Sequence, residues 1–297
     1  MIRLALLLLA SLTLGAADQP AGRSFLMLGG LTQIVDASGK ATWQYPAATR
    51  DGYVLPSGNL LLTLSKNKAY PGGAVVEVTR EQKIVWEYKG TQSEVNTAVL
   101  LPNGNVMLTE AGDKPRLLEV ARDGSVKVEI PLGGQTSNHH LQSRMARPLA
   151  DGRYLVPQGR TVREYDAAGK VVWERPSPES TADNRSFCCL RNAAGHTLIS
   201  LTVGNHIIEV DAAGKVVWEL RDGDLAGVPV NRTTALSWLP NGNIVFSNYA
   251  ARAPHPKLVE ITREKQVVWK YVDASKEGVH EFQLLDEAGK PLVGVLR

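Results

Sequence analysis

Asp166-Ala-Ala-Gly-Lys-Val-Val-Trp173 and Asp211-Ala-Ala-Gly-Lys-Val-Val-Trp218 are the same octapeptide, 45 residues apart. A third copy, Asp36-Ala-Ser-Gly-Lys-Ala-Thr-Trp43, precedes them. Looser copies end at Trp86 and Trp269, and Asp123-Gly-Ser-Val-Lys-Val128 keeps the register without the Trp. The anchors 43, 86, 128, 173, 218 and 269 are separated by 43, 42, 45, 45 and 51 residues. A period of this length with β-rich content is the spacing of propeller blades. Between these phrases lies a second one: Leu55-Pro-Ser-Gly-Asn59, Leu101-Pro-Asn-Gly-Asn105 and Leu239-Pro-Asn-Gly-Asn243, with weaker turns at Gly152, Gly195 and Gly289. Each places Gly where a hairpin needs positive φ, and each leads into a β-rich run such as Leu60-Leu-Leu-Thr-Leu64.

Each unit therefore reads as a four-stranded antiparallel blade. The chain starts with a Trp-bearing half (Ser24 to Tyr45) and ends with a turn-bearing half (His280 to Arg297), and the two halves complement each other. Pairing them in one blade closes a ring and removes exposed sheet edges. The expectation is an all-β, six-bladed propeller occupying residues 18–297 as a single domain.

Residues 1–17 read as a signal peptide. Arg3 supplies a positive charge, Leu4 to Leu14 is an apolar run, and Gly15-Ala16-Ala17 offers small residues for cleavage after Ala17. The run is too short to span a bilayer, and no other apolar stretch is long enough, so a secreted or periplasmic protein without a membrane span is expected. Lys and Arg number 33 against 30 Asp and Glu, a formal charge of +3, and no basic run is interleaved with aromatics. Nucleic acid is thereby an unsuitable partner. A monomer is expected.

Residues that repeat once per blade belong to the scaffold, so the Trp side chains are expected to pack between blades. Function is sought where blades differ. Counting back eight or nine residues from each turn Gly gives Arg50, Asn96, Arg144, Ser186, Thr234 and His280, all at the mouth of the central channel. Strict alternation then puts Gly52, Ala98, Ala146, Cys188, Leu236 and Phe282 below them, lining a narrower axis. Neighbouring positions add Asp51, Glu281, Asn184, Arg185, Asn231, Arg232, His139 and His140. Guanidinium groups beside Asn and His suit a carboxylate, phosphate or sulfate. The competing expectation is that these groups satisfy one another, Arg50 pairing with Asp51 or Glu281. Candidate catalytic groups are His280, His140 and Glu281. No metal site is expected, since no metal-ligand spacing occurs. His196, His206 and His255 are expected at the surface. The adjacent Cys188 and Cys189 are expected to be reduced and buried, one of them on the channel face.

The phrase at 166–174 and 211–219 resembles the tryptophan-docking repeats of PQQ-dependent quinoproteins and of secreted PQQ-like repeat proteins. Leu-Pro-Asn-Gly-Asn before an apolar strand is similar to the repeat of bacterial arylsulfotransferase-type propellers, which are six-bladed. The first resemblance implies a repeat scaffold without a transferable cofactor or calcium site, so no cofactor is assigned. The second implies a channel His that takes up a sulfuryl group, assisted by Arg, His and Asn, with His280-Glu281 as the nearest counterpart of a His–acid pair. Three functions follow: binding of a small anionic molecule or a protein partner at the mouth without turnover; an arylsulfotransferase-like reaction on His280 or His140 with Arg50, Arg144 and Arg185 as anion clamps; and a PQQ-dependent oxidoreductase.

Overall fold

The computed structural model describes residues 22–133, 136–178 and 185–297; the signal-peptide reading and Asn184 lie outside these residues. The described residues form six four-stranded antiparallel sheets arranged as a ring. Blade 1 is shared between the chain ends. Its inner strand is Val279–Leu285, which pairs antiparallel with Ser24–Gly29, aligning Ser24 with Leu285 and Met27 with Phe282. Blades 2 to 6 follow in sequence order, with inner strands Thr49–Val54, Glu94–Leu100, Arg147–Pro148, Ser186–Arg191 and Thr233–Trp238. Among the described residues, no helix is long and apolar enough to cross a membrane.

The two sequence phrases are turn formers, as their chemistry dictates. In Asp166-Ala-Ala-Gly169, Asp166 Oδ1 accepts the N–H groups of Ala168 (3.0 Å) and Lys170 (2.9 Å), and Gly169 sits at φ +82°. A side chain with a Cβ is strained there, so Gly recurs at this position. The Trp residues bind adjacent blades together. Trp43 Nε1 donates to Arg80 O (2.7 Å), Trp86 Nε1 to Arg122 O (3.1 Å) and Trp218 Nε1 to Arg263 O (2.9 Å), each on the next blade. Arg263 also lies over the Trp218 ring, 4.6 Å from its centroid. The core fills the wedges between blades: Leu190, Leu236 and Phe246 join blades 5 and 6, and Leu26, Leu62 and Val76 join blades 1 and 2.

The inner strands depart from regular alternation. Five of the six shift register near their channel-mouth ends: between Thr49 and Asp51, Val95 and Thr97, Ser186 and Cys189, Thr233 and Leu236, and at His280, which is skipped as Leu28 pairs with Glu281 and Gly29 with Val279. A bulge inserts one unpaired residue and re-aims side chains. The amides freed by the bulges find side-chain acceptors. The Gly52 N–H donates to Asp51 Oδ1 (2.8 Å) and the Phe282 N–H to Glu281 Oε1 (3.0 Å). The Cys188 and Ala235 N–H groups donate to Ser200 Oγ (2.9 Å) and Ser247 Oγ (2.8 Å).

The bulges overturn the expected lining of the axis. Ala98, Ala146, Cys188, Leu236 and Phe282 are buried between blades rather than on the channel. Asp51 and Glu281 point to the axis instead, because the extra residue flips the parity of the strand that follows. Cys188 and Cys189 are free and buried as expected, but they occupy two different inter-blade clusters, so neither lines the channel. His206, expected at the surface, is 1% exposed and lies 3.2 Å from Glu219 Oε2.

Candidate functional site at the channel mouth

Below the mouth, the axis is closed by an ionic plug. Arg147 of blade 4 reaches across the ring, with Nη1 donating to Asp51 Oδ2 of blade 2 (3.0 Å) and Nη2 to Glu281 Oε2 of blade 1 (2.9 Å). Thr97 of blade 3 donates its hydroxyl to the same Asp51 oxygen. Arg297 completes the set: Nη1 donates to Gly52 O (2.7 Å), Nη2 lies 3.5 Å from Asp51 and 3.7 Å from Glu281, and the guanidinium stacks on Tyr53 at 4.0 Å. Two acids thus meet two guanidinium groups in a fully buried setting. Burial raises the Glu281 carboxyl above the ordinary carboxylate range, while Arg147 and Arg297 pull against that shift. Asp51 and Glu281 accordingly lie in the plug, 0% exposed, and face Arg147 and Arg297 rather than Arg50.

Above the plug opens a cavity of about 540 Å³ to which all six blades or their connections contribute. Of the six positions obtained by counting back from the turns, Arg50, Arg144, Ser186, Thr234 and His280 line it. The sixth, Asn96, lies just beneath, accepting from Arg50 Nη1 (3.2 Å) and donating to Ser143 O (3.1 Å). His140, Arg185 and Arg232 are on the wall as well. His139 shares a short 3-10 turn with His140 but faces Asp113 (3.5 Å), away from the cavity. Asn231, whose N–H donates to Asn248 Oδ1 (2.9 Å), does not line it. Among the described residues, no three or more His, Cys, Asp or Glu side chains gather as a metal site.

The cationic groups differ in how they are compensated. Arg50 has a carboxylate partner, Glu94 Oε2, at 3.3 Å. Burial raises the Glu94 carboxyl, but its contact with His140 (3.3 Å) and the charge of Arg50 outweigh burial and hold it at about 2. Arg144 is 5% exposed, its Nη1 is buried without a hydrogen-bond partner, and its guanidinium lies 5.2 Å from the centroid of the Phe187 ring. Burial first, then the charge of Arg50, brings its guanidinium down to about 9, so it stays charged at neutral pH. Local backbone sets this placement. The Arg144 N–H donates to Pro157 O (3.0 Å), the Met145 N–H to Phe187 O (3.1 Å), and the Ala146 N–H turns back to Arg144 O (2.7 Å), so the chain folds tightly before the two-residue inner strand of blade 4.

His280 stands on the bulge of blade 1. Its Nδ1 lies 3.0 Å from Arg50 O, an acceptor only, so Nδ1 carries the proton and Nε2 carries the lone pair. Phe187 and Tyr249 meet the imidazole edge-to-face at 4.9 and 5.9 Å. Burial, then the charges of Arg144 and Arg50, keeps the ring well below the ordinary histidine range and hence neutral. Arg232 on the rim holds φ +49°, its N–H donating to Asn205 Oδ1 (2.8 Å), a conformation uncommon outside glycine. Sequence patterning did not identify Glu94, Phe187 and Tyr249 as parts of the site, nor Arg147 and Arg297 as the plug. None stands at a position marked by the turn phrases as a mouth residue, and their partners come from other blades.

No curated protein matches the chain. Among solved structures, a protein of unknown function from Bacteroides caccae superimposes with TM-score 0.75 at 22% identity, covering 88% of this chain and 98% of its own. Virginiamycin B lyase from Staphylococcus aureus does so with TM-score 0.61 at 16% identity, covering 94% of each chain. The periplasmic gluconolactonase of Pseudomonas aeruginosa reaches TM-score 0.55 at 12% identity, covering 82% of this chain and 81% of its own. At such identities the likeness is one of fold. The sequence profile of a PQQ-like repeat family, described as outer membrane protein assembly factor BamB, matches residues 28–193 and 128–295. These two matches run over nearly all of the described ring, and the chain belongs to that family of PQQ-like repeat β-propellers.

Proposed function

We propose that the protein is exported and binds a small oxyanion-bearing molecule at the mouth of its channel, without turnover. Arg144 holds the charge, and Arg50, Arg185 and Arg232 surround it. One observation carries this reading: Arg144, a charged guanidinium on the wall of an organic-sized cavity, has a buried nitrogen, Nη1, with no hydrogen-bond partner. Burying such a group uncompensated is costly, and an oxyanion in the cavity would supply the missing acceptor. A concave cavity of about 540 Å³ also suits a small molecule better than a protein surface. Export is supported by the leader-like residues 1–17 and by membership of a BamB-like family.

The test is a thermal-shift titration of the purified protein with sulfate, phosphate and small carboxylates. The expected result is a saturable rise in Tm that Arg144→Met removes and the exposed control Lys127→Met retains. Equal responses from wild type and Arg144→Met would overturn the reading.

A second reading, arylsulfotransferase-like transfer onto His280, is favoured by the fixed tautomer that leaves Nε2 with its lone pair at neutral pH. Among the structural neighbours, a catalytically inactive His-to-Ala variant of virginiamycin B lyase was solved with quinupristin. Incubation with 4-nitrophenyl sulfate tests transfer. Nitrophenol release that His280→Ala abolishes would support it, and no release at any concentration would dismiss it.

A further inference from the structure

The cavity wall mixes two chemistries. The guanidinium groups of Arg144 and Arg50 share it with Phe187, Tyr249, Leu141 and Val203, and the Phe187 ring lies 5.2 Å from the Arg144 guanidinium and 4.9 Å from the His280 ring. Tyr249 and Val203 are 36% and 39% exposed, so two sizeable apolar groups stand open to water on the wall of a charged pocket. A bare inorganic anion would leave most of the volume filled with water and these groups uncovered. An organic body of the size that such cavities accommodate would cover them and gain by their burial.

Beside Arg144 stands an acceptor. His280 spends its Nδ1–H on the Arg50 carbonyl, and among the described residues no group donates to its Nε2. A ligand head group lying between Arg144 and His280 meets a donor on one side and a lone pair on the other. A fully ionised head with acceptors alone satisfies Arg144 but sets oxygen against nitrogen at His280. A head that pairs an oxyanion with an adjacent O–H or N–H satisfies both.

Resting on the anion-binding reading above, we propose that the ligand is a carboxylate bearing a hydroxyl or N–H on the neighbouring carbon and an aromatic body, the carboxylate on Arg144, the donor on His280 Nε2 and the ring against Phe187 and Tyr249.

Matched probes separate the parts by isothermal titration of the full chain. 3-Phenyllactate carries all three features, 3-phenylpropanoate lacks the hydroxyl, lactate lacks the ring, and 3-phenyl-1,2-propanediol lacks the charge. The expected order puts 3-phenyllactate about tenfold or more ahead of each of the others, the worth of one good hydrogen bond or one buried ring. In His280→Phe the preference over 3-phenylpropanoate should fall below about threefold while 3-phenylpropanoate itself still binds. Equal binding of the two acids to wild type overturns the inference without needing any variant. Binding of inorganic phosphate or sulfate with no response to any phenyl acid also overturns it, while leaving the mouth an anion site. Silence from every anion, inorganic ones included, overturns both.

Discussion

Arg144 is held where it is by backbone contacts and an aromatic ring, with no ion pair of its own among the described residues; the charge of Glu94 acts on it only from beyond contact distance. A buried guanidinium without a bonded acceptor weakens a fold, and under the proposed anion-binding function that cost would serve the site, the usual conflict between stability and function. Arg144→Met, of similar length and without charge, should therefore leave the unfolding free energy unchanged or raise it by about 1 kcal/mol while ending the response to anions, as urea titrations with and without phosphate would show. A clear loss of stability would mean that Arg144 has a structural partner. His280 yields a pH dependence of definite sign. The unfolded imidazole takes a proton near pH 6.5 and the folded one only well below that, so the unfolded state binds more protons between those values and stability falls as pH drops through about 6.5. Comparing urea midpoints at pH 7 and pH 5, His280→Phe should lose less stability on acidification than the wild type. At this scale the sequence was legible wherever a residue holds a fixed offset from a turn: Arg50, Arg144, Thr234 and His280 were placed at the mouth by counting. Glu94 and Tyr249 were not, because the repeat phrases do not mark them and their partners stand on neighbouring blades.

The inner strands show why counting stopped short of the axis. Period-two alternation puts Gly52 and Phe282 on the channel, and it would be right for an unbroken strand. One added residue per strand shifts every side chain beyond it to the other face, carrying Asp51 and Glu281 inward. Nothing in the local residues announces a bulge. Its amide is satisfied by a group on the same or a neighbouring strand, such as Ser247, whose Oγ takes the Ala235 N–H and also lies 2.6 Å from Thr234 Oγ1. Ser247→Ala removes that acceptor in a fully buried place and should cost about 1–3 kcal/mol in chemical denaturation. The outer strands were legible for the opposite reason: their Trp residues recur in five of the six blades, and Trp43, Trp86 and Trp218 dock on the next blade's turn. Trp218→Ala, which loses the bond to Arg263 O and the contact with its guanidinium, should destabilise by about 2–3 kcal/mol. A smaller effect than that of a surface substitution would contradict the packing role.

Across the whole molecule, ring closure was readable from two half-repeats at the chain ends, because each half lacks what the other supplies. The plug was not, since it depends on blades 1 and 4 facing each other across the axis. Arg147→Met leaves Asp51 and Glu281 buried with Arg297 alone and should cost about 3–5 kcal/mol; Arg147→Met with Asp51→Asn and Glu281→Gln should recover much of that. Recovery locates the loss in uncompensated charge rather than in packing. The plug closes the axis from below, so the mouth is a blind cup with Arg144 on its wall, where the proposed ligand would end. The measurement that addresses this most directly is a crystal structure of the protein soaked with 3-phenyllactate or with inorganic phosphate. The account expects an oxyanion oxygen within hydrogen-bond reach of Arg144 Nη1, about 3 Å away, above an intact plug. An Arg144 Nη1 already bonded to a protein acceptor, in a mouth left without anion at saturating soak, would contradict it.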